Sequence, residues 1–220
     1  MAEKYFGGKL PAPNAVTLSP LAYVVKDTHC NFGIATDGDA DRLGVIDEKG
    51  DFLHPNHLLV LLYYYLLKVR LWDGPCVRNN STTHLLDRVA EGFGQKCYEV
   101  PVGFKYVSAK MAETGAIIGG ESSGGLSVRG HISGKDGIYA AALLAEMIAV
   151  TGKSISELYR EITDRFGELC YREADFRMTP ERKLALQELL FQQEELPPFK
   201  QVEKIDRTDG VKLWFGNGSW

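Results

Sequence analysis

The feature that most constrains this 220-residue chain is an alternation running from about residue 54 to residue 167. Short apolar runs of strand length (Cys76–Asn79, Lys96–Val100, Gly115–Gly119) alternate with segments of helical character. The helical segments are Pro55–Arg70, Ser81–Glu91, Phe104–Glu113, Asp136–Val150 and Ile155–Phe166. Strands separated by helices pair in parallel through crossovers, which leaves the helices covering the sheet. The predicted fold class is α/β: a doubly wound, mixed, largely parallel sheet domain with helices on both faces, flanked by partial neighbouring domains. Local punctuation agrees with it. Pro55 suits a first helical position, Ser81 suits an N-cap, and Ser154 with Glu157 spells a capping box. Pro55–Arg70 is apolar on nearly every side and should be deeply buried.

The flanks read differently. Phe6–Pro20 is an irregular Gly- and Pro-rich approach, followed by a helix near Leu18–Lys26 and a strand at Phe32–Thr36. An acidic turn, Asp37–Arg42, leads to a strand at Leu43–Asp47 and a hairpin-type turn at Glu48–Asp51. Beyond Gly167 the pattern suggests a strand over Leu169–Arg177 and a helix from Thr179-Pro180 to about Phe191. A linker at Glu194–Pro198 and a hairpin of Val202–Asp206 with Val211–Phe215 complete it. The expected division is 1–53, 54–167 and 168–220.

Composition narrows the function classes. A net charge of -4 gives no electrostatic footprint for nucleic acid or an anionic membrane. With 45% hydrophobic and 25% charged residues, disorder over most of the length is excluded. The longest apolar run, Leu58–Leu67, is about half of a bilayer span, and Met1–Tyr5 opens no signal peptide. Cys30, Cys76, Cys97 and Cys170 form no CxxC pair and read as buried free thiols in a reducing, cytoplasmic setting.

The acidic turn Asp37-Gly38-Asp39-Ala40-Asp41-Arg42 is the most informative segment. Alternate side chains of extended backbone share a face, so Asp37, Asp39 and Asp41 can converge on one point. Carboxylates so close repel one another, and a hard divalent cation such as Mg²⁺ compensates them. Arg42 suits a bidentate phosphate contact. A solvated acidic turn is the plain alternative. A calcium-binding EF-hand fails because Arg42 stands where that loop needs glycine and the flanks are strand-like.

The second informative segment is Gly119-Gly120-Glu121-Ser122-Ser123-Gly124-Gly125, which ends an expected strand. It lacks the GK[ST] of a P-loop and the spacing of a dinucleotide fingerprint. A tight turn explains its glycines, but a carboxylate and hydroxyls on flexible backbone also suit sugar hydroxyls. His54 and His57 suit a helix start better than a metal site, and Tyr63, Tyr64 and Tyr65 suit packing.

Together these motifs resemble the α-D-phosphohexomutase family, which includes phosphoglucomutases and phosphomannomutases. The resemblance rests on Phe6-Gly7-Gly8 with Pro11–Asn14, Asp37–Arg42, Val102-Gly103-Phe104-Lys105-Tyr106, Gly120–Gly125, and Gly130-His131-Ile132 with Lys135-Asp136-Gly137. It implies Mg²⁺-dependent transfer of a phosphoryl group between positions 1 and 6 of a hexose, through a phosphoserine and a hexose 1,6-bisphosphate. It further implies that residues 1–53 are the C-terminal part of the second domain of four. Residues 54–167 would be the third domain and 168–220 the opening of the fourth. The family's serine loop and its C-terminal phosphate loop do not occur in these 220 residues. The expected partners are a hexose phosphate and the remainder of the same polypeptide, and the fragment alone should not turn over.

By resemblance, Asp37, Asp39 and Asp41 are the metal ligands and Arg42 steadies phosphate or the serine loop. Lys105 gives acid–base or electrostatic help, while Glu121, Ser123, His131 and Arg129 meet the substrate. Lys135 is a further cation able to attract it, and Arg78 could face the cleft. Gly125 stands where some members carry histidine, which leaves the choice among hexoses open. Two rivals remain from the residues themselves: a non-catalytic sugar-phosphate binding module, and a haloacid-type Mg²⁺-dependent phosphatase with Asp37 as nucleophile.

Overall fold

The computed structural model describes residue 8 and residues 10–174, 176–194, 196 and 198–220. Phe6, Gly7 and Lys9 of the N-terminal approach, and Glu195 and Pro197 of the expected linker, lie outside the described residues. The chain divides into two compact units, Met1–Leu169 and Cys170–Trp220.

The first unit opens with α1 (Ser19–Asp27), which packs on an antiparallel sheet of β1 (Gly33–Thr36), β2 (Leu43–Ile46) and β3 (Phe52–Leu53), in the order β1-β2-β3. All four residues of β2 are buried because both of its faces are covered. Ile46 meets Leu18 and Val25 from the α1 side, while Leu43 and Val45 join the large core beyond.

That core is organised by α2 (Pro55–Lys68), whose residues from Leu58 to Leu67 are all buried. Each large apolar side chain withdrawn from water contributes about 1.5–3 kcal/mol, so this helix is the main hydrophobic anchor of the unit. The elements that follow are β4 (Cys76–Asn79), α3 (Leu85–Gly92), β5 (Cys97–Val100), α4 (Phe104–Thr114), β6 (Ile118–Gly120), β7 (Leu126–Val128), α5 (Gly137–Thr151) and α6 (Ile155–Phe166). The strands form one sheet in the order β5-β4-β6-β7. Strands β5, β4 and β6 are parallel and β7 is antiparallel, so the sheet is mixed and largely parallel as expected. Alternation in β4 serves both faces: Cys76 joins the core with α2, α3, α5 and α6, and Val77 packs with Val100 and Val107 under α4.

Several elements differ from the sequence expectation. The helix expected from Ser81 begins at Leu85, with His84 at its N-cap. Asn79 Oδ1 instead accepts hydrogen bonds from Ser81 N (3.1 Å), Ser81 Oγ (2.9 Å) and Thr82 Oγ1 (2.7 Å), holding residues 81–82 in a turn. The strand expected over Gly115–Gly119 starts at Ile118, because Gly115 caps α4 in a left-handed conformation (φ 69°). Strands β3 and β7 are additional to the expectation. Cys30 and Cys170 are exposed rather than buried.

In the second unit, no strand forms over Leu169–Arg177 among the described residues. Thr179 caps α7 (Pro180–Gln187), a π-helical turn continues through Glu188–Gln192, and β8 (Val202–Asp206) pairs antiparallel with β9 (Lys212–Phe215). Among the described residues, no single helix is long and apolar enough to cross a membrane.

Candidate functional site

The sheet's winding reverses at β4. The chain passes from β4 to β5 on one side, then returns through α4 to β6 on the other. Crevices form beyond the carboxyl ends of strands at such reversals. Asn79 ends β4 and Glu121 follows β6 directly, so both stand at this edge. Glu121 is buried, and its Oε1 accepts from Asn79 Nδ2 (3.2 Å) and from Gly103 N (3.0 Å), the N-cap residue of α4. A carboxylate there satisfies an N–H at a helix start and favours the positive end of its dipole.

The loop after Glu121 is closed by its own backbone: Glu121 N donates to Gly125 O (3.0 Å) and Gly124 N to Glu121 O (3.1 Å). Ser122 N donates to Thr82 Oγ1 (3.1 Å), tying the loop to the turn after β4. Ser123 is exposed at the loop's tip. Gly124 has φ 99°, a conformation open to glycine, and its carbonyl accepts from Leu43 N at 3.2 Å.

The acidic turn lies against this loop, because Arg42 and Gly125 form an antiparallel bridge. Ligand oxygens of Asp37, Asp39 and Asp41 all lie within 4.8 Å of one another. Their gathering comes from a turn rather than from extended alternation. Asp37 Oδ1 accepts from Asp41 N (3.0 Å) and Arg42 N (3.1 Å), and Ala40 takes a left-handed φ of 58°. Arg42 Nε donates to Asp37 Oδ2 at 2.6 Å and stands 3.6 Å from Asp41. Burial works against the charged form of Asp37, but hydrogen bonds and charge from Arg42 outweigh it and hold its carboxyl below the usual carboxylate range. Both Asp37 oxygens are thus held in place by donors of the turn itself.

The third component is the segment after β7. Gly137 N donates to Ala40 O (2.9 Å), and a Cβ on Gly137 would lie 2.9 Å from Ala40 O and 3.0 Å from Arg42 O. Glycine at this position lets α5 start directly against the acidic turn. Asp136 caps α5 by accepting from Ile138 N and Tyr139 N, both at 2.9 Å. Its other oxygen lies 2.7 Å from His131 Nε2, whose ring stacks on Tyr139 with centroids 4.1 Å apart. The hydrogen bonds from Tyr139 N and from His131 lower the Asp136 pKa. Lys135 ion-pairs with Asp41, a contact missed in the sequence because its partner lies far earlier in the chain.

The remaining sequence candidates are placed as follows. Lys105 is exposed in the first turn of α4, its ammonium 4.8 Å from the Tyr106 ring centre. Arg129 is not brought to the cluster. Since β7 runs antiparallel, its far end lies at the opposite edge of the sheet, where Arg129 donates to Asp73 O (3.2 Å) and Gly115 O (3.3 Å). Arg78 does not face the cleft either: it is buried in ion pairs with Asp87 (2.7 Å) and Glu99 (2.6 Å). His54 accepts from Asn56 N at 3.1 Å as the N-cap of α2, and His57 stacks on Tyr159.

The family described as Phosphoglucomutase/phosphomannomutase, alpha/beta/alpha domain III matches residues 54–166, more than half of the chain. The corresponding domain II family matches residues 2–50. A Thermococcus kodakarensis phosphoglucomutase/phosphomannomutase is 32% identical over 218 residues, covering 98% of this chain and 45% of the relative. A solved Thermus thermophilus structure assigned as a phosphomannomutase has a TM-score of 0.78 at 31% identity, covering 94% of this chain and 43% of that one. The open form of the Paramecium phosphoglucomutase parafusin has a TM-score of 0.72 at 26% identity, covering 99% and 43%. The chain thus spans under half the length of these relatives. With an acidic turn set against the Glu- and Ser-bearing glycine loop of a doubly wound domain, and matched by two domain families in chain order, the chain belongs to the phosphoglucomutase/phosphomannomutase family.

Proposed function

We propose that these 220 residues carry the metal loop and sugar loop of a phosphohexomutase that moves a phosphoryl group between positions 1 and 6 of a hexose. The observation that supports this most strongly is the contact of the Asp37–Arg42 turn with the Gly120–Gly125 loop. In the family's terms, residues 1–53 are the tail of the second domain, 54–167 the third and 168–220 the start of the fourth. The phosphoserine and the C-terminal phosphate loop would come from polypeptide outside this stretch. An enzyme of phosphorylated sugars with unpaired cysteines belongs in the cytoplasm.

The donor set fits a hard divalent cation: the gathered ligands are carboxylates, and a cationic ammonium already stands on one of them. Asp37, Asp39 and Asp41 would hold Mg²⁺. Bound there, Mg²⁺ would neutralise charge on the transferring phosphoryl group. Arg42 braces Asp37 and presents positive charge toward phosphate. Glu121 and Ser123 hydrogen-bond sugar hydroxyls, Glu121 from a position fixed by Asn79 and Gly103. Lys105 contributes charge from the start of α4, and His131, oriented by Asp136 and Tyr139, offers its other ring nitrogen to the substrate.

Calorimetric titration of the 220-residue chain should detect weak Mg²⁺ binding, lost in Asp39→Asn. The chain should show no mutase turnover with glucose 1-phosphate and hexose 1,6-bisphosphate. Identical Mg²⁺ binding in Asp39→Asn would remove the metal role, and robust turnover would show that the catalytic parts are assigned wrongly.

A further inference from the structure

Lys135 reaches the acidic turn by one route. Its ammonium pairs with Asp41 and stands 6.0 Å from the Phe104 ring centre at the start of α4. Its aliphatic stem lies across Gly125, where an added Cβ would fall on Lys135 Cδ and Cγ. The ion pair is partly buried, at 23% and 27% side-chain exposure, so it is screened less than a pair in open solvent. Three features of the site therefore converge on this side chain: a carboxylate of the trio, the sugar loop and the helix whose first N–H holds Glu121.

Resting on the metal reading above, we propose that Lys135 is a built-in counter-ion, displaced from Asp41 when a divalent cation binds, and that Gly125 is the gap admitting it. Without metal, the ammonium offsets part of the repulsion among three neighbouring carboxylates. A cation arriving at the trio must compete with it for Asp41. Once displaced, the ammonium stays tethered beside the site, free to meet an anionic phosphate. A side chain at position 125 would close the route while leaving the charge in place. The residue at 125 thereby sets the metal affinity of a loop it does not itself ligate.

Competition has a signature that damage to the fold lacks, since removing Lys135 changes the two readouts in opposite directions. In the 220-residue chain, Lys135→Met should lower the melting temperature without metal and tighten Mg²⁺ binding by roughly threefold to tenfold, the range set by partly exposed to partly buried pairs. Gly125→Ala meets only flexible side-chain atoms and keeps the lysine, yet should tighten Mg²⁺ binding similarly. The double variant should match either single one. If the wild type binds Mg²⁺ and Asp39→Asn does not, but Lys135→Met leaves affinity unchanged or weakens it, the counter-ion role is overturned and the metal reading stands. Additive effects in the double variant would overturn the role of Gly125. Absence of Mg²⁺ binding in the wild type would instead overturn the metal reading.

Discussion

Ala40 holds the acidic turn in its shape at a conformational cost. A residue with a Cβ in the left-handed region costs about 1–2 kcal/mol relative to the right-handed one. Ala40 adopts φ 58°, while its carbonyl accepts from Gly137 N and its own N–H donates to Asp37 O. Ala40→Gly removes the clash but loosens the unfolded chain. It should raise stability by about 0.5–1 kcal/mol, read as a higher melting temperature, with Mg²⁺ affinity unchanged. A lower melting temperature would show that Ala40 packs in a way the backbone does not reveal. At this scale the sequence was legible where interactions are local. Asp37, Asp39 and Asp41 sit within one turn, so their gathering could be read from spacing, although the reason is hydrogen bonding by Asp37. Arg129 and Lys135 could not be ranked in that way. Which of them reaches the cluster depends on the direction of β7 and on the gap at Gly125, both long-range facts.

Helix α2 begins on a group whose protonation opposes the fold. His54 caps it through an unprotonated ring nitrogen that accepts from Asn56 N. Burial, with a smaller contribution from the charge of His57, pushes the His54 pKa down from 6.5 to about 4. Burial lowers His57 as well, and its ring stacks on Tyr159. A group whose folded pKa is depressed contributes stability that is fully present above its unfolded value and lost as pH falls through the folded one. Stability should therefore drop by roughly 1–2 kcal/mol as pH falls from about 6.5 to about 4, less than the full shift would give because the ring is partly exposed and screened by solvent. Denaturant unfolding at several pH values should show this fall, and His54→Asn, which caps without titrating, should flatten most of it. An unchanged slope in His54→Asn would place the titration elsewhere. Among the elements, those with strong local signals were legible: the apolar α2, the capped α6 with its Ser154–Glu157 box, and the parallel strands. Strands β3 and β7 are two and three residues long and owe their state to pairing with β2 and β6. The reverse happened at Leu169–Arg177, where no partner strand is available among the described residues and the apolar residues alone do not make a strand.

For the molecule as a whole, the core explains why the acidic turn and the glycine-rich loop belong to one compact unit. Leu43 and Val45 flank the acidic turn on its C-terminal side and are buried with α2 and α5, while Leu126 begins β7 from the glycine loop and enters the same core. Burial therefore fixes the register of both loops before any ligand arrives. The buried Arg78 does similar work elsewhere in the sheet, where it holds Asp87 and Glu99. The central claim is that this fixed arrangement presents Asp37, Asp39 and Asp41 to a single divalent cation beside the Gly120–Gly125 loop. Anomalous diffraction from crystals of the chain soaked in Mn²⁺ tests it directly. The account predicts one peak at about 2.0–2.2 Å from an oxygen of each of the three carboxylates, with the Lys135 ammonium moved off Asp41. No peak at the trio, or a cation held elsewhere with the Lys135–Asp41 pair intact, would contradict it.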